Sequence, residues 1–100
     1  MATSKEFKDY VLEQLRGLGN ITCRPMMGEY LLYYDGLLFG GIYDERLLIK
    51  KTSTNQVFHL EDQIPYDGAK PMACVQDLEH LEFLREIILV TIKGLPIKKK

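Results

Sequence analysis

Features that mark several common classes of protein are missing from this sequence of 100 residues. No apolar run approaches the roughly 20 residues that a transmembrane helix needs, and no basic segment followed by an apolar one opens the chain as in a secretory signal. Its two cysteines, Cys23 and Cys74, do not form the Cys-x-x-Cys pattern of redox proteins. We therefore expect a cytoplasmic protein with reduced thiols and no membrane contact.

Motifs for metal binding, phosphate binding and catalysis are also absent. His59 and His80 have no metal-ligand spacing to each other or to a cysteine, and the glycines form neither the Gly-x-Gly-x-x-Gly nor the Walker pattern. We therefore expect no catalytic residue, no metal and no cofactor. Because a thiol and its base meet in space rather than in sequence, a thiol-dependent sensor or small enzyme using Cys23 or Cys74 remains an alternative.

The charge balance argues against a protein that coats nucleic acid. The formal net charge is −1, whereas such proteins carry a basic surplus. Residues 61–94 contain seven acidic and three basic side chains, and the lysines at 98–100 restore the balance. The closing helix predicted in this segment is therefore acidic, which makes it a poor surface for phosphate.

Hydrophobic periodicity predicts an α+β domain. Thr3 and Glu6 have the spacing of a capping box, and apolar residues recur at helical intervals from Phe7 to Leu18, which predicts a helix over about residues 4–17. The later segments alternate or carry turn signals typical of strands. The predicted strands are 21–27, 30–34, 37–43, 46–51 and 71–76, with a short helix over 52–62 and a closing helix from Asp77 to about Lys93.

Short turns fix the direction of the middle strands. Asp35-Gly36 and Asp44-Glu45 leave no room for a crossover, so the strands they join must be antiparallel. Pro25 has no N–H and predicts that the first strand lies at an edge or bends. The Gly40-Gly41 pair predicts close approach of a helix or a bulge, and a ligand that contacts the bare backbone is a further alternative.

The elements together predict a two-layer fold. It consists of an antiparallel sheet of about five strands, flanked by N- and C-terminal helices, with a short middle helix. We expect a single domain over residues 1–94 and a basic tail over 95–100.

The closing helix contains more apolar residues than one sheet-facing stripe requires. Four successive apolar residues cover a full helical turn, so some of them face away from the sheet unless the chain itself buries the helix on several sides. We expect a protein partner here, most simply a second copy in a two-fold homodimer, although scattered exposed apolar residues are an alternative. The expected contact residues are Ile87, Ile88, Leu89, Val90 and Ile92.

Tyrosines on the second strand offer an alternative function. Aromatic side chains on a sheet can stack nucleobases when basic residues lie beside them. Ordinary strand propensity explains the tyrosines more simply, and we prefer it. The residues of the nucleic-acid alternative are Arg24, Arg46, Lys50, Lys51, Tyr30 and Tyr33.

The segment from Arg24 to Ile42 resembles the signature of the TfoX (Sxy) N-terminal domain family. Departures are Met27, where phenylalanine is usual, and Glu29 and Leu31, where glycines are common. The residues that carry the resemblance are Arg24, Met26, Gly28, Tyr30, Tyr33, Asp35, Gly36 and Phe39.

The resemblance implies a two-layer α+β domain associated with regulators of natural competence and DNA transformation. Longer relatives carry a second, helical domain and work with a transcription activator, which the present chain is expected to lack. We therefore expect a non-enzymatic regulatory or interaction domain that works by protein–protein contact.

Overall fold

The computed structural model describes residues 3–95, and its elements confirm the α+β class. The predicted basic tail lies outside this range except for Leu95, which is buried in the core with 7% of its surface exposed. The elements in chain order are helix α1 (Lys5–Gln14), strands β1 (Ile21–Met26), β2 (Glu29–Tyr34), β3 (Leu37–Ile42) and β4 (Leu47–Ile49), a 3-10 helix (Asn55–Phe58), strands β5 (Glu61–Gln63) and β6 (Met72–Val75), and helix α2 (Leu81–Gly94).

All six strands join one antiparallel sheet in the order β1-β2-β3-β4-β6-β5. The first four form a meander, and Asp35-Gly36 makes the predicted two-residue turn between β2 and β3. β1 lies at an edge, where Pro25 has no neighbouring strand that needs its missing N–H.

The predicted helix over residues 52–62 is wrong for most of its length. Only the four residues Asn55–Phe58 are helical, as one 3-10 turn, and His59 ends that turn in the left-handed region. Residues 61–63 form β5 instead, because Glu61 and Gln63 pair with Cys74 and Met72 of β6. Pairing with a distant strand overrides the local helical pattern here.

Both helices pack on the same side of the sheet, which we call the covered face. Val11 and Leu15 of α1 and Leu84 and Ile88 of α2 are at most 1% exposed there. We call the opposite side, which carries neither helix, the open face. The buried sheet residues of the covered face are Leu32, Phe39, Ile42, Leu47, Ile49, Ala73 and Val75.

The helix starts differ from their predicted residues. Ser4, not Thr3, caps α1, because its Oγ accepts a hydrogen bond of 3.1 Å from the Phe7 backbone N–H. Asp77 lies in a turn before α2, where its Oδ1 accepts from the backbone N–H groups of Glu79 and His80. α2 itself begins at Leu81.

The two strand glycines mark a β-bulge, as one of the sequence interpretations predicts. Leu32 pairs with Gly40 but the next residue, Tyr33, pairs with Leu38, which leaves Phe39 as the extra residue. The close approach at Gly40 comes from a strand rather than a helix. A Cβ at Gly40 would contact the β4 backbone at the Leu48 carbonyl oxygen.

Candidate interaction surfaces

The structure divides the five predicted contact residues of α2 between the core and the surface. Ile87 and Ile88 are completely buried in the covered-face core. Leu89 is 39% exposed, and Val90 and Ile92 are half-buried. The chain itself therefore buries part of the apolar turn, and a partner could contact only the other three residues.

A second contact explains why α2 is apolar on more than one side. The loop around the 3-10 helix lies against the end of α2, where Thr54 Oγ1 donates a 2.7 Å hydrogen bond to the Val90 carbonyl. A Cβ at Gly94 would clash with the Thr54 and Thr52 hydroxyls, so glycine permits this approach. The sheet and the loop together bury two sides of α2.

The remaining side of α2 borders a shallow groove of about 650 Å³, which we call the α2 groove. Leu89, Val90 and Ile92 line it together with Tyr34 of β2. Charged side chains stand along it, with Glu82, Arg85 and Glu86 towards the start of the helix and Lys93 towards its end.

Arg85 connects the two helices at the side of this groove. Its Nη2 donates a 3.1 Å hydrogen bond to the Arg16 carbonyl, just beyond the C-terminal end of α1. A cation is favoured there by the partial negative charge of the helix end. The Arg85 Nε is buried and has no hydrogen-bond partner among residues 3–95.

The residues of the nucleic-acid alternative do not form one continuous surface. Tyr33 lies on the open face with the Arg24 guanidinium 5.8 Å from its ring centroid, whereas Tyr30 packs on the covered face beneath Lys8. Lys51 is paired with Asp62 at 2.7 Å. Tyr30 is therefore separated from Tyr33 by the sheet, and the charge of Lys51 is balanced by that of Asp62.

Arg46, another member of that set, has a structural contact network. Its guanidinium donates hydrogen bonds to the Tyr43 carbonyl at 3.1 Å, to Gln63 Oε1 at 2.8 Å and to the Ile64 carbonyl at 3.3 Å. These bonds hold the loop of residues 64–71 against the open face. No sequence motif indicates this role, because the acceptors are mostly backbone carbonyls.

Glu29, which departs from the glycine common in the resembling family, joins three segments. Its Oε1 accepts hydrogen bonds from the backbone N–H and hydroxyl of Thr3, at 3.1 and 2.6 Å, and from the Asp44 N–H at 3.0 Å. The start of the chain, the β1–β2 hairpin and the β3–β4 turn therefore meet at one carboxylate.

The two cysteines lie on opposite faces of the sheet. Cys23 of β1 belongs to the covered face and Cys74 of β6 to the open face. Four strand spacings of about 4.8 Å separate them, whereas a disulfide needs Cα atoms within roughly 7 Å. Burial raises the pKa of both thiols, which disfavours the reactive thiolate.

Two further features are absent from residues 3–95, a metal-binding cluster and a membrane-spanning helix. Residues 3–95 contain no group of three or more histidine, cysteine, aspartate or glutamate side chains placed to hold a metal ion. None of the helices in that range has the length and apolar character needed to cross a bilayer.

The sequence matches a known protein family over most of its length. Residues 13–80 match the family described as TfoX N-terminal domain, a segment that runs from the end of α1 through the whole sheet to the start of α2. A relative from Spirochaeta aurantia, named uncharacterized 12.7 kDa protein in trpE 5′ region, is 31% identical over 102 residues. The alignment covers 99% of this chain and 89% of that protein.

Proposed function

Because the chain belongs to the TfoX N-terminal domain family, we propose that it is a non-enzymatic regulatory domain that works by protein–protein contact. The family resemblance implies a role in competence and DNA transformation, and we include that role in the proposal. The contact is a two-fold homodimer formed through the α2 groove. The observation that carries it is the apolar side of α2, where Leu89, Val90 and Ile92 are left only partly covered.

The charges beside the groove favour a second copy in antiparallel orientation. Glu86 and Lys93 are seven residues apart, which is close to two helical turns and places them on the same side of α2. Leu89 lies near the midpoint between them. A two-fold axis there brings Leu89 of both copies together and sets Glu86 of each copy opposite Lys93 of the other.

The homodimer predicts a clear difference between two apolar-to-acidic substitutions. Sedimentation equilibrium should show a dimer for the unmodified chain and a monomer for Leu89→Glu, because two carboxylates would face each other in the interface. Val57→Glu is the matched control, since Val57 is 69% exposed on the 3-10 helix and does not line the groove. It should stay dimeric.

A charge reversal tests the orientation. Glu86→Lys and Lys93→Glu should each weaken the dimer about 5- to 30-fold, because each places like charges opposite one another at two symmetric positions. The double variant restores the opposite-charge pairs and should recover most of the affinity. A monomeric unmodified chain at high concentration, or equal effects of Leu89→Glu and Val57→Glu, would contradict the proposal.

A further inference from the structure

The open face carries a second groove, on the side of the sheet opposite the α2 groove. Its volume is about 370 Å³, and it lies between strands β3, β4 and β6 and the loop of residues 64–71. Ligand pockets begin at roughly 300 Å³, so this space suits a small molecule. We call it the open-face groove.

Apolar side chains form the floor of the groove. Leu38 and Met72 lie on either side of Lys50. On one side, the Lys50 N–H bonds to the carbonyl of Phe39, the residue after Leu38. On the other side, Ile49 pairs with Ala73 in antiparallel register, which places Lys50 opposite Met72. The Tyr43 ring adjoins this row and is only 5% exposed. It lies over Gly41, where a Cβ would come within 2.7 Å of the ring.

The loop wall is held in place without a ligand. Arg46 binds the start of the loop through the Ile64 carbonyl, and the Ala69 N–H closes a turn on the Tyr66 carbonyl at 3.0 Å. The Tyr66 ring centroid lies 6.1 Å from that of Tyr43, and Tyr66 remains 57% exposed. A pre-formed wall with an exposed aromatic ring lowers the ordering cost of binding.

The rim of the groove is basic in a chain whose net charge is −1. Lys50, Lys51 and Lys70 line it, and no acidic side chain does so within the part of the chain that the structure describes. Lys51 is paired with Asp62. Lys50 and Lys70 are exposed and form no ion pair with any residue in 3–95.

We propose that the open-face groove binds a small aromatic anion, such as an aryl phosphate or aryl carboxylate. The aromatic body lies on the apolar floor against Tyr66, and the ammonium groups of Lys50 and Lys70 bind the anionic group. Aromatic contact and charge-assisted hydrogen bonds are the two interactions that these side chains offer. Binding is independent of the dimer, because the two grooves lie on opposite faces.

Amide NMR titration with phenyl phosphate, adenosine 5′-monophosphate and inorganic phosphate tests the proposal. The first two ligands should shift the backbone amides of residues 38–43, 50–51, 66–70 and 72, with affinities at least about tenfold above that of inorganic phosphate. The double substitution Lys50→Gln with Lys70→Gln should weaken phenyl phosphate binding by about tenfold or more. Lys5→Gln on α1 is the matched control and should change nothing.

Three outcomes would overturn the proposal. One is the absence of shifts at millimolar ligand, and another is equal affinity for phenyl phosphate and inorganic phosphate. The third is a single-stranded oligonucleotide that binds far more tightly than the mononucleotide and shifts Arg24 and Tyr33, because the ligand would then be nucleic acid. Monomeric Leu89→Glu should bind phenyl phosphate normally, so failure of the dimer and failure of the groove are distinguishable.

Discussion

At the scale of single residues, Asn55 shows how one buried polar side chain can join distant elements. It is 3% exposed, and its Oδ1 accepts a hydrogen bond of 3.0 Å from the Thr52 N–H. Its Nδ2 donates to the Lys50 carbonyl at 2.9 Å and to Thr91 Oγ1 at 2.8 Å. The amide therefore connects the end of β4 with α2.

Replacing Asn55 by alanine should lower the free energy of unfolding by about 2–4 kcal/mol, because buried groups of Thr52, Lys50 and Thr91 would lose their partner. Urea denaturation measures this loss. Gln56→Ala is the control, since Gln56 is the exposed neighbour in the same 3-10 helix, and it should change stability by less than about 0.5 kcal/mol. Similar losses for both variants would remove the assigned role of Asn55.

The structural roles of some residues can be predicted from local sequence, whereas those of others cannot. Pro25 and the Asp35-Gly36 turn could be placed from sequence because their effects depend on their own backbone angles and donors. Asn55 and Glu29 could not, because their partners lie as far as 36 and 26 residues away along the chain. The sequence likewise places Arg46 in the nucleic-acid alternative, because its acceptors on Gln63 and Ile64 are distant along the chain.

At the scale of elements, the β1–β2 turn departs from the usual composition of tight hairpins. Met27 and Gly28 form a two-residue turn in which both have positive φ, 52° and 87°. Such turns favour asparagine or glycine at the first position. Met27 is also 97% exposed, so packing within the described chain does not offset its backbone cost.

Met27→Asn should therefore raise the free energy of unfolding, by about 0.5–1 kcal/mol, since asparagine adopts the left-handed region more readily. Met27→Val should lower it by about 1 kcal/mol or more, because a β-branched side chain is strained at this φ. Thermal denaturation of the unmodified protein and the two variants gives their order of stability directly. If the Met27→Asn protein were less stable than the unmodified protein, the backbone cost assigned to Met27 would be contradicted.

The elements that were predicted correctly are those with strong local patterns. α1 and the four meander strands follow from apolar periodicity and turn chemistry. The sequence predicts Glu61 and Asp62 of β5 as the end of a helix and assigns no element to Gln63, because three polar residues contain no strand signal and their pairing with β6 is non-local. The burial of Ile87 and Ile88 likewise depends on non-local packing, since both lie in the core that α2 forms with the sheet.

At the scale of the whole molecule, the sheet separates the two grooves. The α2 groove lies on the covered side and the open-face groove on the other. The α+β class was predictable, but the insertion of β6 between β4 and β5 was not. That order depends on long-range pairing, and the open-face groove exists only because of it.

Burial of weak acids on both faces of the sheet makes the fold sensitive to alkaline pH. Burial raises the pKa of Cys23 and Cys74 above the ordinary thiol value of 9.0 and that of Tyr43 above the ordinary phenol value of 10.0. Between the unfolded and folded pKa values, the unfolded chain has lost protons that the folded protein retains. Stability is therefore fully present below the unfolded pKa and declines as pH rises towards the folded values.

We expect the free energy of unfolding to be nearly constant around neutral pH and to fall above about pH 9, with each buried group contributing at most about 1.4 kcal/mol per pH unit. Urea denaturation across this range, under reducing conditions, measures the slope. Cys74→Ala should make the decline shallower even though it lowers stability at neutral pH, because one of the titrating groups is gone. An unchanged slope in that variant would show that the Cys74 thiol does not contribute, and stability that rises with pH would contradict the burial of all three groups.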